Sequence, residues 1–116
     1  KLDASSESNE KVWKAITWCA FISGNIAQAD YYVSKLLEEN PIAQDFINAG
    51  HIAWCQNKMN KAFEFYKQGL NLLHGNIEVF TDLINNDKTY LKLNGVDEDE
   101  IALLIDKIMY DYTSKL

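Results

Sequence analysis

The chain has 116 residues, 47% of them hydrophobic, and a net charge of −6 in which every basic residue is a lysine. That length suits one domain able to bury about two thirds of its unfolded surface, and the apolar content argues against disorder. No apolar run approaches the roughly 20 residues of a membrane helix, and an acidic chain without arginine lacks the footprint of a nucleic-acid binder. Neither membrane insertion nor a nucleic-acid partner is expected.

Residues 1–8, rich in Ser and Glu, read as a frayed N-terminal lead. Because the chain starts at Lys1 rather than Met, it is expected to be a piece of a longer protein. Beyond the lead, apolar residues recur at three and four places, as in Trp13, Ile16 and Ala20 and in Ile101, Leu104, Ile105 and Ile108. This spacing predicts six helices near 9–23, 26–39, 43–56, 60–73, 77–93 and 98–113, and no alternation long enough for a strand. The breaks fall at Gly24-Asn25, Asn40-Pro41, Asn57-Lys58, His74-Gly75 and Asn94-Gly95. Pro41 cannot continue a helix and drives Asn40 out of the helical region. Gly75 and Gly95 suit the left-handed position that ends a helix. Asp97 with Glu100 predicts a capping box at the start of the last helix. Cys19 and Cys55 fall inside predicted helices, and the expectation is two buried free thiols, which suits a reducing compartment such as the cytoplasm.

Sliding the chain by 33 places sets Trp13 on Phe46, Thr17 on Gly50, Ala20 on Ala53, Phe21 on Trp54, Ala29 on Ala62, Tyr32 on Phe65 and Leu37 on Leu70. Small meets small and aromatic meets aromatic. Small residues let two helices of a hairpin approach closely, and aromatic side chains fill the space beside them. A second shift of 33 fails, since Trp54 would meet Asp87 and Tyr66 would meet Asp99.

At these residues the chain resembles the tetratricopeptide repeat (TPR) family. One unit, about 10–42, supplies Trp13, Ile16-Thr17, Ala20, Ala29, Val33 and Pro41. The second, about 43–75, supplies Phe46, Ala49-Gly50, Ala53, Ala62 and Tyr66, with His74 where the family has proline. The segment 76–116 then reads as a diverged capping helix pair, as an end repeat must turn a polar side outward. It is also similar to the closing segment of some large, uncharacterised bacterial TPR proteins. The resemblance implies an all-α, right-handed superhelix of three helix hairpins. It further implies a protein–protein interaction module, the C-terminal end of a larger TPR scaffold or adaptor with a protein or peptide partner. An alternative is a mainly structural accessory to a catalytic or regulatory domain elsewhere in the parent chain. Self-association is left open.

In that family the first helix of each pair lines a concave groove. The stripe implied here runs through Lys14, Trp18 and Phe21, then Ile47, Asn48, His51, Trp54 and Cys55, flanked by Lys11, Ile22 and Gln44. The stripe is either a groove for a peptide or helix, or a surface covered by the domain's own last helices or by upstream repeats. The exposure of Trp18 and Trp54 decides between them. Lys14 and Asn48 fall at places resembling a carboxylate clamp, but Trp18 stands where that subclass has asparagine, so the subclass is rejected. His51 and Cys55 are one helical turn apart, with Cys19 a conceivable third metal ligand. Such pairs arise easily in helices, and no metal site or cofactor is expected. The run Asp97-Glu98-Asp99-Glu100 lacks the alternating oxygen ligands and central glycine of a calcium loop. No nucleophile elbow, phosphate loop or zinc-protease helix is present, and no enzymatic activity is expected.

Overall fold

A computed structural model of the chain describes residues 2–114, with side chains described from residue 9 onward. It holds α1 (Leu2–Ile22), α2 (Ile26–Glu38), α3 (Ala43–Cys55), α4 (Met59–Leu72), α5 (Ile77–Asn86), α6 (Lys88–Leu93) and α7 (Glu98–Thr113). No strand occurs among the described residues. The fold is all-α, as the periodicity predicts.

Two expectations are corrected. The segment taken as a frayed lead is helical backbone from Leu2, continuing α1, while Lys1 lies outside the described residues. The single helix expected over 77–93 is two, α5 and α6, parted at Asp87 (φ −101°, ψ 2°). Asn85, Asn86 and Asp87 are poor helix formers whose side chains compete for backbone partners, and the Asp87 carboxylate is committed elsewhere, as described below.

Four helix ends are built alike. The amide of Asn25 donates to Ala20 O and that of Gly24 to Phe21 O, the paired bonds of a Schellman motif. The same pairing recurs with Lys58 on Ala53 and Asn57 on Trp54, Gly75 on Leu70 and His74 on Asn71, and Val96 on Leu91 and Gly95 on Lys92. Each motif needs one residue with positive φ, and Gly24, Asn57, His74 and Gly95 supply it. Gly24 and Asn57 are 33 apart, the offset at which the size classes recur in the sequence. At the helix starts, Asn25 and Asn76 accept from the amides of Gln28 and Val79. The buried Asp45 carboxylate accepts from Ile42 N–H at 3.0 Å. Asp97 caps α7 through the amide of Asp99 at 2.9 Å, rather than in a reciprocal box with Glu100.

Helix α1 packs on α2, α2 on α3, α3 on α4, and α7 returns onto α4. The molecule measures 45 × 32 × 21 Å, its shortest dimension about two helix diameters. Small residues mark the closest approaches: Ala29 and Ala62 are fully buried, and Thr17, Ala20 and Ala53 nearly so. At Gly50 a methyl group would stand 2.6 Å from the Tyr66 ring, so only glycine lets α3 and α4 meet there. The core centres on Phe21, Ile47, His51, Tyr66 and Phe80. Exposed ion pairs clip α6 to the start of α7: Glu98 accepts from Lys92 at 3.0 Å and lies 3.1 Å from Lys88. Those lysines, Lys92 first, hold the Glu98 carboxyl below its usual range.

Candidate functional site

The stripe expected to line a groove is largely filled by the chain's own C-terminal third. Phe21, Ile47, His51 and Trp54 are buried, Trp54 at only 4% exposure. Trp18, Asn48 and Cys55 are half-buried, and Lys14 is exposed. An open groove running the length of the stripe is therefore absent. The physical reason is that α5–α7 carry apolar residues of their own and bury them against the preceding helices, α5 and α7 on α4 and α6 at Trp18. Tyr90 of α6 meets the Trp18 ring edge-on at 5.5 Å between centroids. Glu100, Leu103, Leu104 and Lys107 of α7 border a shallow cavity of about 180 Å³ over Trp54.

His51 is fully buried, and its surroundings differ from those of a groove residue. Its ring stacks on Phe21 at 5.7 Å, with planes 20° apart. Its Nδ1 lies 2.7 Å from Tyr66 Oη and its Nε2 lies 3.0 Å from Asp87 Oδ2. A carboxylate only accepts, so Nε2–H donates to Asp87. Burial, then the neighbouring Cys55 and Asp87, hold the Tyr66 phenol well above its ordinary range. Its proton therefore stays on oxygen and is donated to Nδ1. This chain of two hydrogen bonds joins α3, α4 and the α5–α6 junction. It satisfies both ring nitrogens, as a buried histidine requires.

Both nitrogens being engaged, His51 does not face Cys55 as a ligand pair. No cluster of three or more His, Cys, Asp or Glu able to hold a metal occurs among the described residues. The expectation of two buried thiols is half corrected: both are free, Cys55 is half-buried, and Cys19 is exposed. Burial pushes the Cys55 thiol up to about 11. Cys19 sits on α1 next to Trp18 but on the outer side of the helix, because successive helical residues point about 100° apart.

The larger cavity along the stripe, about 350 Å³, is lined by Trp18, Gln44, Asn48 and Asp87, against about 180 Å³ over Trp54. Trp18 comes from α1, Gln44 and Asn48 from one face of α3, and Asp87 from the break between α5 and α6. Gln44 Nε2–H donates to Asn48 Oδ1 at 3.0 Å, which ties the two amides together. Sequence reasoning placed Trp18, Gln44 and Asn48 on this face but missed Asp87. The signal available was His51 itself: a histidine at a core position of a repeat demands polar partners. Asp87 is the polar residue that the failed second shift sets beneath Trp54.

Searches against protein-family models, curated proteins and solved structures found no match to this chain.

Proposed function

We propose that the chain is a non-enzymatic helical-repeat module of tetratricopeptide type, acting in protein–protein interaction within a scaffold or adaptor. On this reading α1–α2 and α3–α4 are two repeat units of a right-handed superhelix, and α5–α7 are the diverged closing unit. The partner is a protein or peptide, and it docks at the mouth beside Trp18 rather than along a groove from Lys14 to Cys55. The observation that carries the reading is the contrast within one stripe. Phe21 and Trp54 are buried, whereas Trp18 is half-buried and lines a cavity of about 350 Å³ against about 180 Å³ at Trp54. A half-exposed tryptophan at a cavity mouth is the residue type that most often anchors an interface.

The burial of Phe21, Ile47, His51 and Trp54 favours a second reading, in which the chain mainly closes and rigidifies a larger assembly. A photo-crosslinking residue at Gln44 separates the two. The interaction reading expects a crosslinked polypeptide in cells from Gln44 and none from the exposed Tyr110 of α7. No product from Gln44, or equal products from both positions, supports the structural reading.

A further inference from the structure

We infer that the cavity lined by Trp18, Gln44, Asn48 and Asp87 receives an arginine side chain of a peptide partner. The inference rests on the interaction reading and names the chemistry that the partner must present. Three features of the cavity converge on a planar cation.

The first is an oriented negative charge. Asp87 Oδ2 is fixed by His51 Nε2–H at 3.0 Å, with the imidazole itself held by Tyr66 and Phe21. The carboxylate is therefore positioned by a buried side chain, and it lines the cavity. The adjacent Lys88 does not compensate this charge, because its ammonium lies 3.1 Å from Glu98. No lysine lines the cavity.

The second is an aromatic wall. Trp18 is braced by Tyr90 at 5.5 Å and by Phe21 at 5.6 Å, so its ring is set in place before any ligand arrives. Indole is the best side-chain partner for a cation over its face. The third is a spare acceptor. Gln44 spends an N–H on Asn48, which leaves Gln44 Oε1 to take a further hydrogen bond.

A carboxylate, two amides and an indole ring around one cavity match a guanidinium better than an ammonium. The guanidinium is planar, stacks on aromatic rings and offers several N–H donors in fixed directions. An anionic ligand is disfavoured by Asp87, and an apolar one would take the remaining acceptor capacity of Asp87 and Gln44 out of water without a donor. The chain's net charge of −6, without a single arginine of its own, is complementary to a basic partner.

The test is a titration followed by ¹⁵N NMR on the intact chain, with N-acetyl-arginine amide as probe. Its neutral isostere N-acetyl-citrulline amide and N-acetyl-lysine amide serve as controls. The expected result is a saturable shift of the Trp18 indole N–H and the Gln44 and Asn48 side-chain amides. Citrulline should bind at least about tenfold more weakly, the scale of a lost charge-assisted hydrogen bond, and lysine should also bind more weakly than arginine. Asp87→Asn should abolish the shift. Because that change also touches His51, Gln44→Leu, which leaves the buried network intact, should weaken arginine binding independently. Absence of shifts at these groups overturns the inference, as does equal response to citrulline or to lysine. A crosslinked polypeptide from Gln44 without arginine binding leaves the interaction reading standing and removes this one. Arginine binding without any crosslink leaves a cavity selective for a guanidinium but removes the peptide partner, and with it both readings.

Discussion

Residues 13–75 and residues 76–113 bury helical faces by opposite means. In the first region the small residues Ala29, Gly50, Ala53 and Ala62 stand at the closest approaches of paired helices, and the same size classes recur 33 places apart. Close approach there is a backbone requirement, so it leaves a mark in the sequence. In the second region no such register exists. Phe80, Ile84, Leu91, Ile101, Leu104 and Ile108 are buried as α5 and α7 pack on α4 and α6 packs on α7, and a filling role constrains volume rather than spacing. A repeat is thus readable from its contacts between neighbours, whereas a closing segment is readable only from the shape it must fill.

The largest expected effect tests whether the second region belongs to the core. Phe80 is fully buried and its ring meets Tyr66 at 6.2 Å. Phe80→Ala should cost about 3–5 kcal/mol in urea denaturation. A cost below about 1 kcal/mol would make α5–α7 an appendage rather than a filler.

Next come the close approaches of the first region. Gly50→Ala should overpack against the Tyr66 ring, which cannot swing away while its hydroxyl is held by His51. Ala62→Leu should overpack the same hairpin. Each should cost on the order of 1–3 kcal/mol. Wild-type stability in both variants would show that the repeat register is misplaced.

The seam between the regions is the Tyr66–His51–Asp87 chain. Tyr66→Phe leaves His51 Nδ1 buried without its donor and should cost about 1–3 kcal/mol. Combined with Asp87→Asn, the two changes should couple by roughly 0.5 kcal/mol or more. Strict additivity would mean that the hydrogen bonds do not unite the two regions.

The smallest effect concerns the thiols. Cys19, exposed, should alkylate rapidly in the folded protein, and Cys55 slowly. Because the folded Cys55 thiol titrates near 11 against an ordinary 9.0, the folded state holds its proton more tightly than the unfolded chain does. That contribution to stability is complete below pH 9 and is lost as pH rises towards 11. Cys55→Ala should flatten the decline over that window. An unchanged pH profile in thermal melts would assign the decline to other groups.

The helices and their turns were legible because periodicity and turn chemistry are local. Gly24-Asn25 and His74-Gly75 declare left-handed backbone, and Pro41 declares an end. The break at Asp87 was not legible, because it exists to serve His51, a residue 36 positions away. The stripe lies on α1 and α3, where Phe21, Ile47, His51 and Trp54 are buried and Lys14 is exposed. Whether it stays open depends on where α5–α7 fold back, which is a tertiary question that spacing within the first two units does not encode. Trp18 and Trp54 occupy related faces in the sequence, yet Trp54 is buried beside a cavity of about 180 Å³ and Trp18 is half-buried beside one of about 350 Å³. The first unit received the short α6 above its tryptophan and the second received the longer α7.

The central claim is that the chain's own C-terminal helices pack over the stripe, α6 at Trp18 and α7 at Trp54, and leave Lys14 exposed. Nuclear Overhauser contacts in the intact protein test it most directly. The account predicts cross-peaks between the rings of Trp18 and Tyr90, between His51 and Phe21, and between the Trp54 ring and the Leu104 methyl groups. Absence of the Trp18–Tyr90 and Trp54–Leu104 cross-peaks, in a protein that is otherwise folded and helical, would contradict it and return the full stripe to solvent.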